Sequence, residues 1–305
     1  MDEASYAPPP QHDANLISTN PISESAPSQP TSKSCGCGAS NCNCGTKSNT
    51  PAVSSYVYAF GRIEPRFPSL SIEKEFAQAT ARAETIDLTD HETLGAVLSD
   101  KQNRYLVRQL CWVLNVDGVA TYLLLPREES DLDLLIGSLR PRPLPSDVDV
   151  IVGVRGPTRS CNELTLPTVI FDQLYSFDLD TLVKSIQPPD ETTATNFEAA
   201  AESLFMRVMH LAGNVGETDE HRAVNYLAIR YPAIYTMTAE AHARNLSFVG
   251  LKTRSSHRDS VRKIAEVIFA YRNRQTDITE KYFVRVDVTE EFPFLVTKLS
   301  SFYEM

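Results

Sequence analysis

Two apolar runs joined by Asp117-Gly118 dominate the hydrophobic pattern, in the stretch QLCWVLNVDGVATYLLLP from Gln109 to Pro126. Asp and Gly both tolerate positive φ, so the pair fits the type I′ turn of a tight β-hairpin. Leu110, Trp112, Leu114 and Val116 alternate with Cys111, Val113 and Asn115, and Tyr122 to Leu125 make an unbroken apolar return strand. A hairpin apolar on both faces needs cover on both sides, which places it inside a sheet. Upstream, YVYAFGRI from Tyr56 alternates with period two and reads as a strand ended by Pro65 and Pro68. Ser71 then caps a helix carrying Ile72, Phe76 and Ala79; Thr89 or Asp90 opens a second through Leu94 and Leu98; a third runs from Asp100 to about Gln109. Downstream, DLDLLIGSLRP repeats Leu132, Leu135, Ile136 and Leu139 at helical spacing until Pro141. Strands follow at Val148 to Arg155 and Thr168 to Phe177, and Asp178 caps DLDTLVKSI.

This order of elements is that of a split βαβ unit, so the expectation for residues 55–190 is an α+β domain with a ferredoxin-like layer. The polar break from Pro188 to Asn196 marks a boundary, and residues 191–305 form the second expected domain. Phe197, Ala201, Leu204, Phe205, Val208 and Leu211 keep helical spacing up to Gly213. Thr218 caps a partner helix that stops at Tyr231-Pro232, and the short connection predicts an antiparallel helical hairpin. Strands from Leu246, Val261 and Glu280 predict an antiparallel β-meander. In the last of these, Tyr282, Val284, Val286 and Val288 face one way and Lys281, Phe283, Arg285 and Asp287 the other. Pro293 opens an expected closing helix with Phe294, Leu295, Leu299 and Phe302 inward.

Composition changes the picture at the N-terminus. Residues 1–54 are rich in Pro, Ser, Asn and Thr without hydrophobic period, the composition of a disordered tail. Within them SCGCGASNCNCG spaces Cys35, Cys37, Cys42 and Cys44 as C-x-C-x4-C-x-C, a set able to wrap one soft ion such as zinc. The spacing departs from the C-x2-C knuckle and no local core preorganises it, which favours a linker with free thiols. No cofactor is expected beyond that possible zinc. The chain carries a formal charge of −10, and the tail supplies four carboxylates against two lysines, leaving the body strongly acidic. An acidic body argues against nucleic acid as a partner, since phosphate binding depends on clustered Lys and Arg. No apolar run reaches membrane-span length and MDEASYAPPPQ lacks signal-peptide blocks, so no membrane partner and a cytoplasmic setting are expected.

Longer runs are familiar as a set. NRYLVRQLCWVL, PREESDLDLLIGSLRPRPLPSDVDVIVGVRGP, IFDQLYSFDLDTLVKSI and VRKIAEVIFAYRNRQTDITEKYFVRVDVTEEFPFLVTKLSSFY resemble the C-terminal region shared by the cyanobactin maturation proteases PatA and PatG. The resemblance covers nearly all of residues 55–305. It implies a setting, the processing of ribosomally made peptides that are cut and cyclised, and no reaction, because that region of those proteases carries no assigned chemistry. The subtilisin-like protease part has no counterpart here, nor has a dinucleotide fingerprint or a P-loop.

Candidate chemical residues are few, and each has a plainer reading. Cys111 inside the apolar hairpin reads as a buried structural thiol. Cys161, in RGPTRSCNELTLP near Arg155 and Arg159, is a candidate nucleophile without a His close by in sequence. His210 and His221 with Glu217 and Glu220 could converge on a metal, although His210 also suits a helix C-terminus and His221 a solvated position. Asp131 and Asp133 read as a charged helix start, and Gly153 to Pro157 as a turn or an anion-binding loop. Two functions follow. The first, which the absence of an assembled catalytic set favours, is a non-catalytic accessory domain that binds a precursor peptide or a pathway protease, or pairs as a homodimer, by an exposed sheet edge. The alternative is a peptide-modifying enzyme using Cys161 or a His-carboxylate metal site.

Overall fold

A computed structural model of the chain describes residues 55–83, 88–188, 194–256 and 262–303. The tail expected to be disordered and its four cysteines lie outside these residues. The hairpin forms where its pattern places it: β2 (Cys111–Val116) and β3 (Val119–Pro126) flank a turn with positive φ at both Asp117 (50°) and Gly118 (76°). It does not sit in an open ferredoxin-like layer. With β1 (Ser55–Arg66), β4 (Asp147–Cys161) and β5 (Leu164–Asp178) it closes a five-stranded barrel in the order β1-β2-β3-β5-β4.

Two features close the ring. The first is the length of β1, which pairs with β4 through Ser55–Gly61 and with β2 through Arg62–Arg66, all antiparallel. Gly61 stands at the changeover, where a Cβ would collide with the carbonyl of Asn115, so only glycine lets β1 cross so close to β2. The second is a parallel pairing of Leu123–Pro126 with Thr168–Phe171. That pair joins segments far apart in sequence and carries no local signal.

Strand alternation sorts the apolar side chains into distinct cores. Val57, Ala59, Trp112, Leu114, Tyr122, Leu124, Ile151, Val169 and Phe171, one face of each strand, gather in a single cluster. Buried residues of α1 (Leu70–Arg82), α2 (Asp90–Ser99), α3 (Arg104–Gln109) and α4 (Asp131–Gly137) complete it. Thr89 caps α2 with a full capping box closed by Glu92, whereas α1 starts after Ser69 rather than Ser71. The opposite face of β1 and β4 (Tyr58, Phe60, Val148, Val150, Val152) packs on a second core with α5 (Leu179–Lys184), α6 (Ala194–Met209), α7 (Asp219–Arg230) and α8 (Ala233–Ala243).

The same second core takes the inner face of an antiparallel sheet of β6 (Leu246–Ser256), β7 (Ile264–Asn273) and β8 (Thr279–Asp287). The expected boundary near residue 190 therefore falls at the step from barrel to helices and sheet, which share one core. The α6–α7 contact expected of a helical hairpin is present but is not the main packing of α6. α6 packs chiefly on α8, an element that Pro232 begins rather than prevents, because proline at a helix start lacks only an N–H that no turn would use. The expected closing helix after Pro293 is likewise replaced by two short strands, β9 (Phe294–Leu295) and β10 (Ser300–Ser301), laid along β8. Backbone N–H groups of Val296 and Phe302 donate to the carbonyls of Arg285 and Lys281, so β8's edge outcompetes local helix formation. No helix among the described residues is long and apolar enough to cross a membrane.

Candidate functional site

The sequence-nominated nucleophile has a partner. Cys161 is bonded to Cys111, with S–S 2.04 Å, so neither sulfur is a thiol. The RGPTRSCNELTLP stretch expected as a loop is the tip of a long β4–β5 hairpin, which a register shift between Arg155 and Thr158 bends over β2 and β3. There Cys161 covers Val113 and Leu123 in a small third core, and the bridge pins the tip in place. Arg155, expected beside Cys161, pairs with Glu217 at 3.3 Å. Gly153 to Pro157 is strand rather than turn; a Cβ at Gly153 would run into the carbonyl of Ile170, so this glycine serves close strand approach and not an anion.

The His-carboxylate set does not assemble. Nδ1 of His210 lies 2.7 Å from the carbonyl of Met206, at the end of α6, and its Nε2 lies 3.5 Å from Asp117. His221 sits at the start of α7, where its backbone N–H donates to Thr218 and burial lowers its pKa against the opposing influence of Glu220 and Glu217. Among the described residues no group of three or more His, Cys, Asp or Glu converges as a metal site. Asp131 accepts from the N–H groups of Arg127 and Glu128 at 3.0 and 2.8 Å, and Asp133 pairs with Arg104, so both organise the start of α4.

A cavity of about 390 Å³ lies between the Asp117-Gly118 turn and α6. Its charged groups have partners: Arg66 with Glu64 at 3.6 Å, His210 with Asp117, Asp147 with Arg140 at 3.8 Å, and Arg62 with the carbonyl of Leu144. The buried hydroxyl pair Tyr58–Tyr175, 2.7 Å apart, lies close to Arg230, whose guanidinium is 5.0 Å from the Tyr175 ring. Burial raises the pKa of both phenols, which keeps them neutral hydrogen-bonding groups.

What remains open is backbone. Closure leaves the barrel without an end strand, and its short one-sided stretch is the β4–β5 tip, where Thr158–Cys161 and Leu164–Pro167 pair only with each other. In the second sheet, β9 and β10 line the outer side of β8, whereas β6 pairs with β7 alone among the described residues. A register shift between Phe248 and Gly250 makes a bulge at Val249, whose side chain is 41% exposed. From Gly250 onward β6 runs straight and presents Lys252 and Arg254, both exposed, the charged residues with which edge strands discourage indiscriminate pairing. The sequence reading found β6 as a strand and could not tell that it was the edge, because edge status depends on what every other strand does.

A closed barrel and a half-open sheet sharing one helical core define an α+β protein whose open sheet ends in one long strand, β6, among the described residues. The PatG Domain family model matches residues 56–267, most of the chain, and the chain belongs to that family. A solved structure described as "PatG Domain of Unknown Function" is similar in fold, with TM-score 0.65 at 19% identity over 82% of this chain and 99% of the other. No curated protein matches.

Proposed function

We propose that the chain is a non-catalytic accessory module that binds peptide or protein segments, within a ribosomal-peptide pathway of the cyanobactin type. One observation carries the reading: β6 offers a row of backbone donors and acceptors along an edge that no described strand covers. An added strand is held by main-chain hydrogen bonds and so accepts many side-chain sequences, which suits substrates that vary in the residues being cyclised. The alternative, a peptide-modifying enzyme, loses the thiol it would need at Cys161 while the bridge to Cys111 is intact. Main-chain pairing alone gives modest affinity, on the micromolar scale of about −8 kcal/mol. The test is incubation of the purified chain with a precursor peptide or a pathway protease, followed by calorimetry and mass spectrometry. Binding without a change of peptide mass is expected; turnover that Cys161→Ser or a chelator abolishes would establish an enzyme instead. Light scattering tests whether the chain instead pairs with a second copy of itself.

A further inference from the structure

Where α6 and α8 meet the start of β6, the surface holds a basin of about 240 Å³. Its buried lining is small or apolar: Ala200 on α6, Thr238 on α8 and Leu246 on β6. The Thr238 hydroxyl is already engaged, donating to the carbonyl of Ile234 at 2.7 Å and lying 2.9 Å from the hydroxyl of Tyr271. The exposed lining differs in kind. It consists of Arg207, His242 and Arg274 with Ala199 and Ser203, and no carboxylate lines the basin.

Both arginines are held by neutral partners. Arg274, between β7 and β8, donates its backbone N–H to the carbonyl of Asn245 at 3.1 Å and its Nε–H to Oγ of Ser247 at 2.6 Å. Arg207 lies over the Phe248 ring, 5.6 Å from its centre. Stacking occupies the face of a guanidinium and leaves its edge donors, and a bond through Nε leaves both Nη groups. Neither arginine has an ion-pair partner among the described residues, whereas Arg104, Arg127, Arg244 and Arg262 each have a carboxylate. The C-terminus of α8 would oppose an anion here, but its carbonyls at Glu240 and His242 accept the N–H groups of Arg244 and Asn245 at 3.1 and 3.0 Å.

We propose that this basin is an anion site that takes the phosphate group of a small phosphate monoester. Guanidinium edges make charge-assisted, bidentate hydrogen bonds to phosphate oxygens. A tetrahedral phosphate directs its oxygens several ways and so meets donors arriving from α6, from α8 and from the β7–β8 connection together; a planar carboxylate matches one fork. The volume suits a phosphate carrying a short organic group. On a chain of formal charge −10 no general attraction draws an anion in, so binding depends on these local donors. The site stands apart from the edge-binding reading, and neither depends on the other.

The test uses the full chain and phosphoserine, whose phosphorus NMR resonance is followed as protein is added. Saturable binding is expected, displaced by inorganic phosphate and not by serine or acetate at the same concentration. Arg207→Gln and Arg274→Gln, both at exposed positions, should each weaken it about tenfold, the scale of one charged hydrogen bond, with melting curves that overlay the wild type. Arg159→Gln, which removes an exposed arginine at the β4–β5 tip, should leave binding unchanged. No saturable binding would overturn the proposal. Displacement by acetate as strong as by phosphate would also overturn it, reassigning the basin to carboxylates, and an equal loss in Arg159→Gln would reduce it to non-specific attraction.

Discussion

Breaking the Cys111–Cys161 bridge is expected to cost about 4 kcal/mol of folding stability. The bridge spans 50 positions, and on a chain-entropy reckoning a loop of that length removes about 4 kcal/mol worth of freedom from the unfolded chain. Against the roughly 5–15 kcal/mol typical of a folded domain, that is about a quarter or more of the total. The structure adds a reason for the native side to suffer too: without the bridge, the tip that carries Cys161, Leu164 and Leu166 is held on Val113 and Leu123 by a small apolar contact alone. Urea unfolding reads the effect, in a background where Cys35, Cys37, Cys42 and Cys44 are serine so that this pair alone reacts. The reduced chain and a Cys111→Ala, Cys161→Ala variant should share a midpoint well below that of the oxidised chain. Cys161 is 3% exposed, so reduction should need added denaturant or long incubation. Coincident curves for oxidised and reduced chain would refute the reasoning, as would alkylation of Cys161 in the native oxidised protein.

Trp112 is 2% exposed and its Nε1–H donates to the carbonyl of Val107 at 3.0 Å; Trp112→Ala should cost about 3 to 5 kcal/mol, and red-shifted fluorescence freely quenched by iodide would contradict its burial. Burial, with the hydrogen bond and charge of Asp172, pushes Glu291 up to about 7 from an ordinary 4.5. Because the folded value is the higher one, its contribution is complete below the ordinary value and is lost as pH rises through 7. Glu291→Gln should therefore melt above the wild type at about pH 8 and level with it near pH 4, and a gap that does not change with pH would exclude this titration. Removal of residues 1–54 is expected to leave the melting temperature unchanged. A zinc ion retained by the full chain and lost in Cys35→Ser, Cys42→Ser would overturn the linker reading of that segment.

The parts of the fold legible in the sequence are those fixed by neighbours along the chain. Asp117-Gly118 demands its turn wherever the hairpin lies, Thr89 and Glu92 close a capping box between themselves, and the alternation from Tyr282 to Val288 survives because one face of β8 meets a core. Long-range choices were not legible. Nothing between Pro126 and Thr168 announces that β3 and β5 pair in parallel, so a closed barrel reads as an open layer. Pro232 ends one helix and begins another with equal authority, and the spacing of Phe294, Leu295, Leu299 and Phe302 is too short to decide between a helix and strands along β8. Cysteine positions do not encode their pairing, which hid the bridge and left Cys161 a candidate nucleophile. The edge of β6 is the same kind of fact: among the described residues it exists because β7 takes β8, and not a further strand, on its other side.

Amide hydrogen exchange along β6 tests the central claim most directly. With the full chain held at saturating precursor peptide, the amides from Gly250 to Ser256 should gain protection, while the β1–β4 and β3–β5 ladders stay as they were. Protection appearing instead around the cavity at Asp117 and His210, with β6 unchanged, would contradict the account.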